Sequence, residues 1–426
     1  MINIKDRVYS AFRPADILLP PKGADMEKWS MIACDQFTSE PEYWRSASAY
    51  IKEAPSTLHC ILPEAFLSSQ TKPDIDNING YMRGYLYNYL TTTPESMIYV
   101  VRRLRSGGVR RGIIGMIDLE EYDYNEGSSS LVRATEKTVL ERIPPRVAIR
   151  RDAPIELPHV MILIDDPDKT VINETQPEFS PVYDFDLYGD GGHLTGYRIS
   201  DCETERIRTA ISELAARASA SCGDAPVVFA VGDGNHSLAS AKACWEYIKP
   251  RLSESEIMTH PASFALCEIV NLHDDSLVFE PIYRVVNVSD TADIISEFKA
   301  YAAKSDGGFG LQKIEYICAS ETGTVTVPSP IHSLPVGTLH IFLDDYIKSH
   351  PDTEIDYIHG IDSVKKLASK PGAVGFLFDG MKKDELFSSV AKSGALPRKT
   401  FSMGEARDKR YYTEARRIKT DAELNI

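Results

Sequence analysis

Apolar and polar positions along this chain fall into short blocks that switch between strand-like runs and helical spacing. Residues 96–103 and 111–119 are apolar enough for two strands, and Ser106-Gly107-Gly108 between them reads as a hairpin turn. Residues 159–164 (HVMILI) read as a buried strand, and 183–199 as a second hairpin around Gly189-Asp190-Gly191-Gly192. Helical character falls at 78–92, at 131–142, which Pro144-Pro145 closes, and at 203–220. Further on, strands are expected at 262–271, 278–286 and 312–327, and helices at 289–304 and 382–393. The pattern predicts an α+β fold of mixed sheets with packed helices. Its expected division is a main α+β domain over residues 1–285 and a C-terminal α+β subdomain over 286–426.

The most informative block is residues 227–245, VVFAVGDGNHSLASAKACW, where an apolar strand meets a Gly-rich turn and then a helix. Gly232 and Gly234 bracket the turn, and glycine allows positive φ and close approach of backbone to a ligand. The helix that follows offers N–H groups at the positive end of its dipole, where phosphates dock. Between and after the glycines stand Asp233, Asn235, His236 and Ser237, so the loop also carries side-chain chemistry. A carboxylate repels phosphate unless a cation or proton intervenes, so Asp233 implies Mg²⁺, a substrate hydroxyl or a structural hydrogen bond. On the structural reading, Asp233 and Asn235 fill turn and N-cap positions and His236 is an ordinary first-turn residue. The dinucleotide fingerprint fails because Ser237 occupies its third glycine position, and no G-x-x-x-x-G-K-[ST] loop occurs.

Other polar groups are candidates too. Glu126, Arg133, Thr135 and Glu136 surround a Ser-rich connection that could open a helix facing an anion; Arg133 and Glu136 could equally form an i,i+3 ion pair. Arg398 and Lys399, followed by Thr400, could clamp a phosphate, although solvated cations are the commoner outcome. Asp165 and Asp166 suit either a cation site or a turn, and His159, after Pro158, suits either a catalytic role or the capped start of a strand, the latter being favoured. Absence of a G-x-S-x-G elbow, an H-E-x-x-H helix and the kinase H-R-D and D-F-G motifs argues against serine hydrolysis, zinc proteolysis and the protein-kinase class.

The D-G-N-H-S turn resembles the D-G-H-H-R turn of the partition-protein and sulfiredoxin-like nucleotide-binding superfamily, which includes free serine kinases. Ala33-Cys34-Asp35-Gln36, residues 112–119 (GIIGMIDL), Arg133-Ala134-Thr135-Glu136, Glu280-Pro281-Ile282-Tyr283-Arg284 and Leu396-Pro397-Arg398-Lys399-Thr400 resemble the domain-of-unknown-function 1015 family. That resemblance runs from about residue 10 to about residue 415. Asn235 and Ser237 stand where the superfamily often has histidine and arginine. The resemblance implies a ParB-like nucleotide-binding core and a nucleotide-dependent small-molecule phosphotransferase, a free L-serine kinase within that class. ATP or ADP with Mg²⁺ would be the cofactors. Asp35 or Glu136 would then take the substrate proton, with Asp233 and His236 at the phosphates, Asp233 as metal ligand, and Gly232, Gly234, Asn235, Ser237, Arg133, Thr135, Arg398 and Lys399 binding the nucleotide. The alternatives are a nucleotide-binding regulatory protein without group transfer and a structural family member with a degenerate site.

Composition narrows the partners. A net charge of −15, from 62 acidic and 47 basic residues, disfavours nucleic acid. The basic run from Arg398 to Lys419 is interrupted by Glu405, Asp408 and Glu414 and reads as a solvated terminal helix. No stretch reaches the ~18 apolar residues of a membrane span, the N-terminus lacks an apolar signal core, and the seven cysteines form no C-x-x-C pair. A cytoplasmic protein acting on a nucleotide and a small molecule is the expectation, with Cys34 an inert thiol.

Overall fold

The computed structural model describes residues 4–69, 71–125, 127–137, 143–173, 180–222 and 225–424. The chain forms two compact units, one of Met1–Leu277 with Glu405–Ile426 and one of Val278–Gly404.

The first unit is built on a ten-stranded mixed sheet among the described residues. Its strands are β1 (Phe12–Arg13), β2 (Ile98–Arg103), β3 (Val109–Asp118), β4 (Tyr122–Asp123), β5 (Val132–Ala134), β6 (Met161–Ile164), β7 (Tyr183–Asp186), β8 (His193–Arg198), β9 (Phe229–Asp233) and β10 (Phe264–Asn271). They lie in the order β7-β8-β2-β3-β10-β6-β9-β5-β4, and β1 adds to β3. β7 through β10 along that order form an antiparallel stretch; β6 joins β10 in parallel and β9 in antiparallel, and β9, β5 and β4 run parallel. Alternate side chains enter two cores. Tyr99 and Val101 of β2, Ile113 and Ile117 of β3 and Cys267 and Ile269 of β10 join one cluster, while Ile98, Val100, Ile114 and Leu266 join another. Burial on both faces explains why these strands read as continuous apolar runs. Helices α1 (Ile4–Ala11), α2 (Ile143–Arg150), α3 (Asp201–Cys222) and α4 (Asn235–Ile248) belong to this unit, and Ile207, Ile211, Leu238 and Trp245 pack into the first cluster.

The second unit has strands β11 (Phe279–Asn287), β12 (Gln312–Cys318), β13 (Thr322–Val327), β14 (Glu354–His359), β15 (Ala373–Phe378) and β16 (Phe401–Met403). They lie in the order β13-β12-β15-β11-β14, with β16 on β11, and every neighbour is antiparallel. Helices α5 (Thr291–Lys304), α6 (Pro335–Ser349), α7 (Ile361–Ala368) and α8 (Glu385–Ser393) belong to it; Phe298 of α5 meets Phe342 of α6 at 4.8 Å and Phe376 of β15 at 5.7 Å between ring centroids.

Both hairpins, the strand at 159–164 and the helix at 203–220 form as their patterns predict. Three expectations change. The described part of the 131–142 helix contains strand β5, because Val132 and Ala134 are buried in the sheet beside β9; residues 138–142, like Glu126, lie outside the described residues. A boundary at residue 285 would cut β11, and the chain divides instead at 277/278. The basic C-terminal run is not a solvated helix. It returns to the first unit, where Tyr411–Tyr412 pairs with Met31–Ile32 and Arg416–Arg417 with Ile155–Glu156.

Candidate active site

β9 ends at Asp233, and Gly234 turns the chain into α4 with φ +78°. A Cβ at Gly234 would stand 3.0 Å from Val160 Cα, so both conformation and space require glycine. Gly232, expected to bracket the turn, is instead the penultimate residue of β9; one glycine makes the turn. Asp233 Oδ1 accepts the Gly234 N–H at 3.0 Å. Its Oδ2 lies 3.4 Å from Lys409 Nζ, is buried, and accepts no hydrogen bond among the described residues. Asn235 Oδ1 is likewise buried without a hydrogen bond, while its Nδ2 donates to the Val231 carbonyl at 3.4 Å. Asn235, His236 and Ser237 form the first turn of α4, whose end carries the positive pole of the helix dipole.

Two other segments close on this turn. Cys34, Asp35 and Gln36 follow the Met31–Ile32 strand, which the returning C-terminal segment pairs, and Ala33 N donates to the Arg410 carbonyl at 3.0 Å. The same segment brings in Lys409 and Tyr412. His159 enters just before β6. Its Nε2 lies 3.4 Å from Asp35 Oδ2 and 3.5 Å from Ser237 Oγ, and its Nδ1 is 2.7 Å from the Tyr412 hydroxyl. Tyr412 donates to Cys34 Sγ at 3.1 Å, so it accepts from Nδ1–H, and the second imidazole proton faces Asp35.

The electrostatics shift the ring toward its protonated form. Burial lowers the His159 pKa, but the charge and hydrogen bond of Asp35, with the charge of Asp233 behind them, raise it above its ordinary 6.5. Burial raises the Asp35 carboxyl, yet His159, a hydrogen bond from Gln36 Nε2 at 2.9 Å and the Lys409 ammonium hold it well below the usual carboxylate range. Cys34 is pushed up to about 11, first by burial and then by Asp35, which keeps the thiol neutral as expected. The result is two carboxylates and two cations interleaved at the mouth of a helix: Asp35, His159, Asp233 and Lys409. Such an array can hold an anion against the helix end and the cations, hold a divalent cation at Asp233, and orient a hydroxyl at Asp35.

Of the residues singled out in the sequence, Asp35, Asp233, Asn235 and Ser237 thus come together with Gly234, and His236 lies in the same helical turn. Thr135 adjoins β9, donating to the Val231 carbonyl at 2.6 Å. Arg133 is buried and donates to the carbonyls of Ser130 at 3.0 Å and Ala225 at 2.7 Å, toward the start of β9 and not its end. Glu136 is half-buried just beyond β5. Arg398 and Lys399 belong to the second unit, where their carbonyls accept from buried Arg284. Asp166 is a turn residue, accepting from Val171 N at 2.7 Å. The strand-start reading of His159 misses its place in the site, and Lys409 and Tyr412 were hidden in the basic tail. A histidine flanked by proline and an apolar strand was the one local signal.

The chain belongs to the family described as "Protein of unknown function (DUF1015)", whose model matches residues 17–413. No curated protein matches it. Among solved structures it is similar to a conserved hypothetical protein from Pyrococcus furiosus, at 12% identity and TM-score 0.34 over 71% of this chain and 94% of that one. It is also similar to a free serine kinase in complex with AMP, at 11% identity and TM-score 0.37 over 72% and 92% of the two chains. A third likeness is to SbnI with C-terminal truncation from Staphylococcus aureus, at 8% identity and TM-score 0.32 over 71% and 81%. What each of these binds is a property of that protein. No helix among the described residues is long and apolar enough to cross a membrane.

Proposed function

We propose that the protein is a nucleotide-dependent phosphotransferase acting on a small hydroxylated molecule. One observation carries the reading: Asp233 Oδ2, buried and without a hydrogen bond, faces Lys409 at the mouth of α4. That oxygen is ion-paired with Lys409 and keeps spare accepting capacity at the mouth of a helix, where a charged ligand can use it. Mg²⁺ typically uses one or two carboxylates together with phosphate oxygens, which a lone Asp233 fits, and when bound it neutralises phosphate charge.

The remaining chemistry belongs to the chain's own residues. Asp35 orients the substrate hydroxyl and receives its proton. His159, Lys409 and the α4 terminus face the phosphoryl oxygens, where charge spreads in a loose transition state. A P–O bond forms to the substrate oxygen as the terminal P–O bond of the nucleotide breaks, leaving ADP from ATP or AMP from ADP. His236 lies near enough in sequence to share the phosphate contacts, whereas the carbonyl-bound Arg133 serves the sheet. Serine is the acceptor that the superfamily turn suggests. With a net charge of −15, the ligands are small molecules and not nucleic acid, and the protein is assigned to the cytoplasm.

The test is incubation with ATP or ADP, Mg²⁺ and a panel of hydroxylated amino acids and related alcohols, read by mass spectrometry. An acceptor heavier by one phosphoryl group is the expected result. Absence of any phosphorylated acceptor, with no nucleotide-induced rise in melting temperature at millimolar concentration, overturns the reading. A rise without transfer would favour the regulatory alternative.

A further inference from the structure

Behind His159 and Ser237 the first unit holds a cavity of about 140 Å³. Its walls include Cys60, Leu62, Met82, Ile149, Leu157 and Ala241. The charges that reach those walls are matched to one another: Arg146 pairs with Glu64, and Arg150 with Glu156 at 2.7 Å. Polar groups on the side of the candidate site are His159, Ser237 and Tyr412, already joined in its network. An apolar chamber therefore abuts Cys34, His159 and Ser237, next to Asp35, which follows Cys34 in the chain and lies 3.4 Å from His159 Nε2.

Size and chemistry define the occupant. A leucine- and isoleucine-lined cavity of ~150 Å³ stays dry and accepts a benzene-sized guest. Serine has a single side-chain carbon and would leave such a space unfilled, losing the gain from burying apolar surface. Resting on the phosphotransfer reading, we propose that the cavity receives a compact apolar group, one ring or a branched chain, of the molecule whose hydroxyl meets Asp35. The acceptor is then a hydroxylated molecule with an apolar body, and serine is a poor surrogate for it.

β-Phenylserine and serine share one head group and differ by one ring, so they isolate the cavity. The purified full chain is melted with each and with benzyl alcohol, then assayed for transfer from ATP and ADP with Mg²⁺. Phenylserine is expected to raise the melting temperature where equal serine does not, and to show at least tenfold higher kcat/KM. Ala241→Leu and Leu157→Phe each fill the chamber, and either one that retains a cooperative melt should weaken phenylserine binding at least tenfold while leaving serine turnover within about twofold. Failure of both aromatic compounds to bind, or binding unchanged in the folded filled variants, overturns the cavity assignment even if serine is phosphorylated. Phenylserine binding that the filled variants abolish, with no transfer to any acceptor, keeps the occupant and overturns the phosphotransfer reading instead.

Discussion

Lys409 and Arg410 are consecutive cations on the returning C-terminal segment, and they meet their carboxylates in opposite ways. Arg410 is buried and donates to Glu268 at 3.1 Å and to Glu414, which also accepts from Tyr183; Arg416 nearby binds Glu156 at 2.7 Å. Charge there is desolvated and paired, although Arg410 Nε makes no hydrogen bond among the described residues, and two arginines with three glutamates lock the tail to β10 and to the Ile155–Glu156 strand. Lys409 faces Asp233 at 3.4 Å across an oxygen that accepts no hydrogen bond, beside a histidine held between carboxylates. Ion pairs enclosed within the sheet describe structure, whereas ion-paired groups gathered at a helix mouth describe a place for a ligand.

The comparison breaks first at Arg410. Arg410→Ala strands Glu268 and Glu414 as buried carboxylates without their cation, and loss of one partner of a buried pair costs about 3–5 kcal/mol. A denaturant midpoint should fall accordingly. A variant as stable as the parent would remove the distinction between the two clusters. At the other cluster the effect should appear in chemistry: Asp233→Asn keeps size and most turn geometry, loses the charge, and should lower turnover by about 10²-fold or more with little loss of stability. Full activity in that variant returns Asp233 to the structural turn.

The turn itself sits between these extremes. Gly234→Ala places a Cβ in the left-handed region and 3.0 Å from Val160 Cα, so about 1–2 kcal/mol of stability should go. A neutral result by thermal melting would mean that the strand-to-helix junction is not fixed by this residue.

Half of the candidate site was legible because it is local. Residues 229–237 carry a strand, one glycine and a helix start in sequence, and each announces itself by apolar run, conformational freedom or helix-forming composition. Lys409 and Tyr412 could not be read that way. Their placement depends on a two-residue pairing with Met31–Ile32, far away in sequence and too short for any periodicity. The same tail looked solvated because its charges are dense, and only the acids brought from β10 and from Glu156 make burial tolerable. β5 departs from the helical reading for a related reason: a three-residue strand is too short for its alternation to outweigh the helical composition of 131–142, and neighbouring β9 decides against the helix.

The smallest effect is the most specific test of the ion pair at the mouth of α4. Because Asp35 and its hydrogen bond raise His159, Asp35→Asn should move the imidazole titration, followed by NMR, to lower pH than in the parent. The sign for stability follows from linkage. The raised His159 contributes fully below its unfolded value and loses that contribution as pH rises through its folded value. Asp35, depressed from 3.8, contributes above that value and loses its share as pH falls through its own folded one. The pair is therefore intact across the interval between, and with the imidazolium as the working form turnover should decline as pH rises through the His159 titration. In Asp35→Asn that decline should come at lower pH, on top of any loss from removing the proton acceptor. An unchanged His159 titration would show that the two side chains are not coupled as charges, and the proton-accepting role would pass to Glu136.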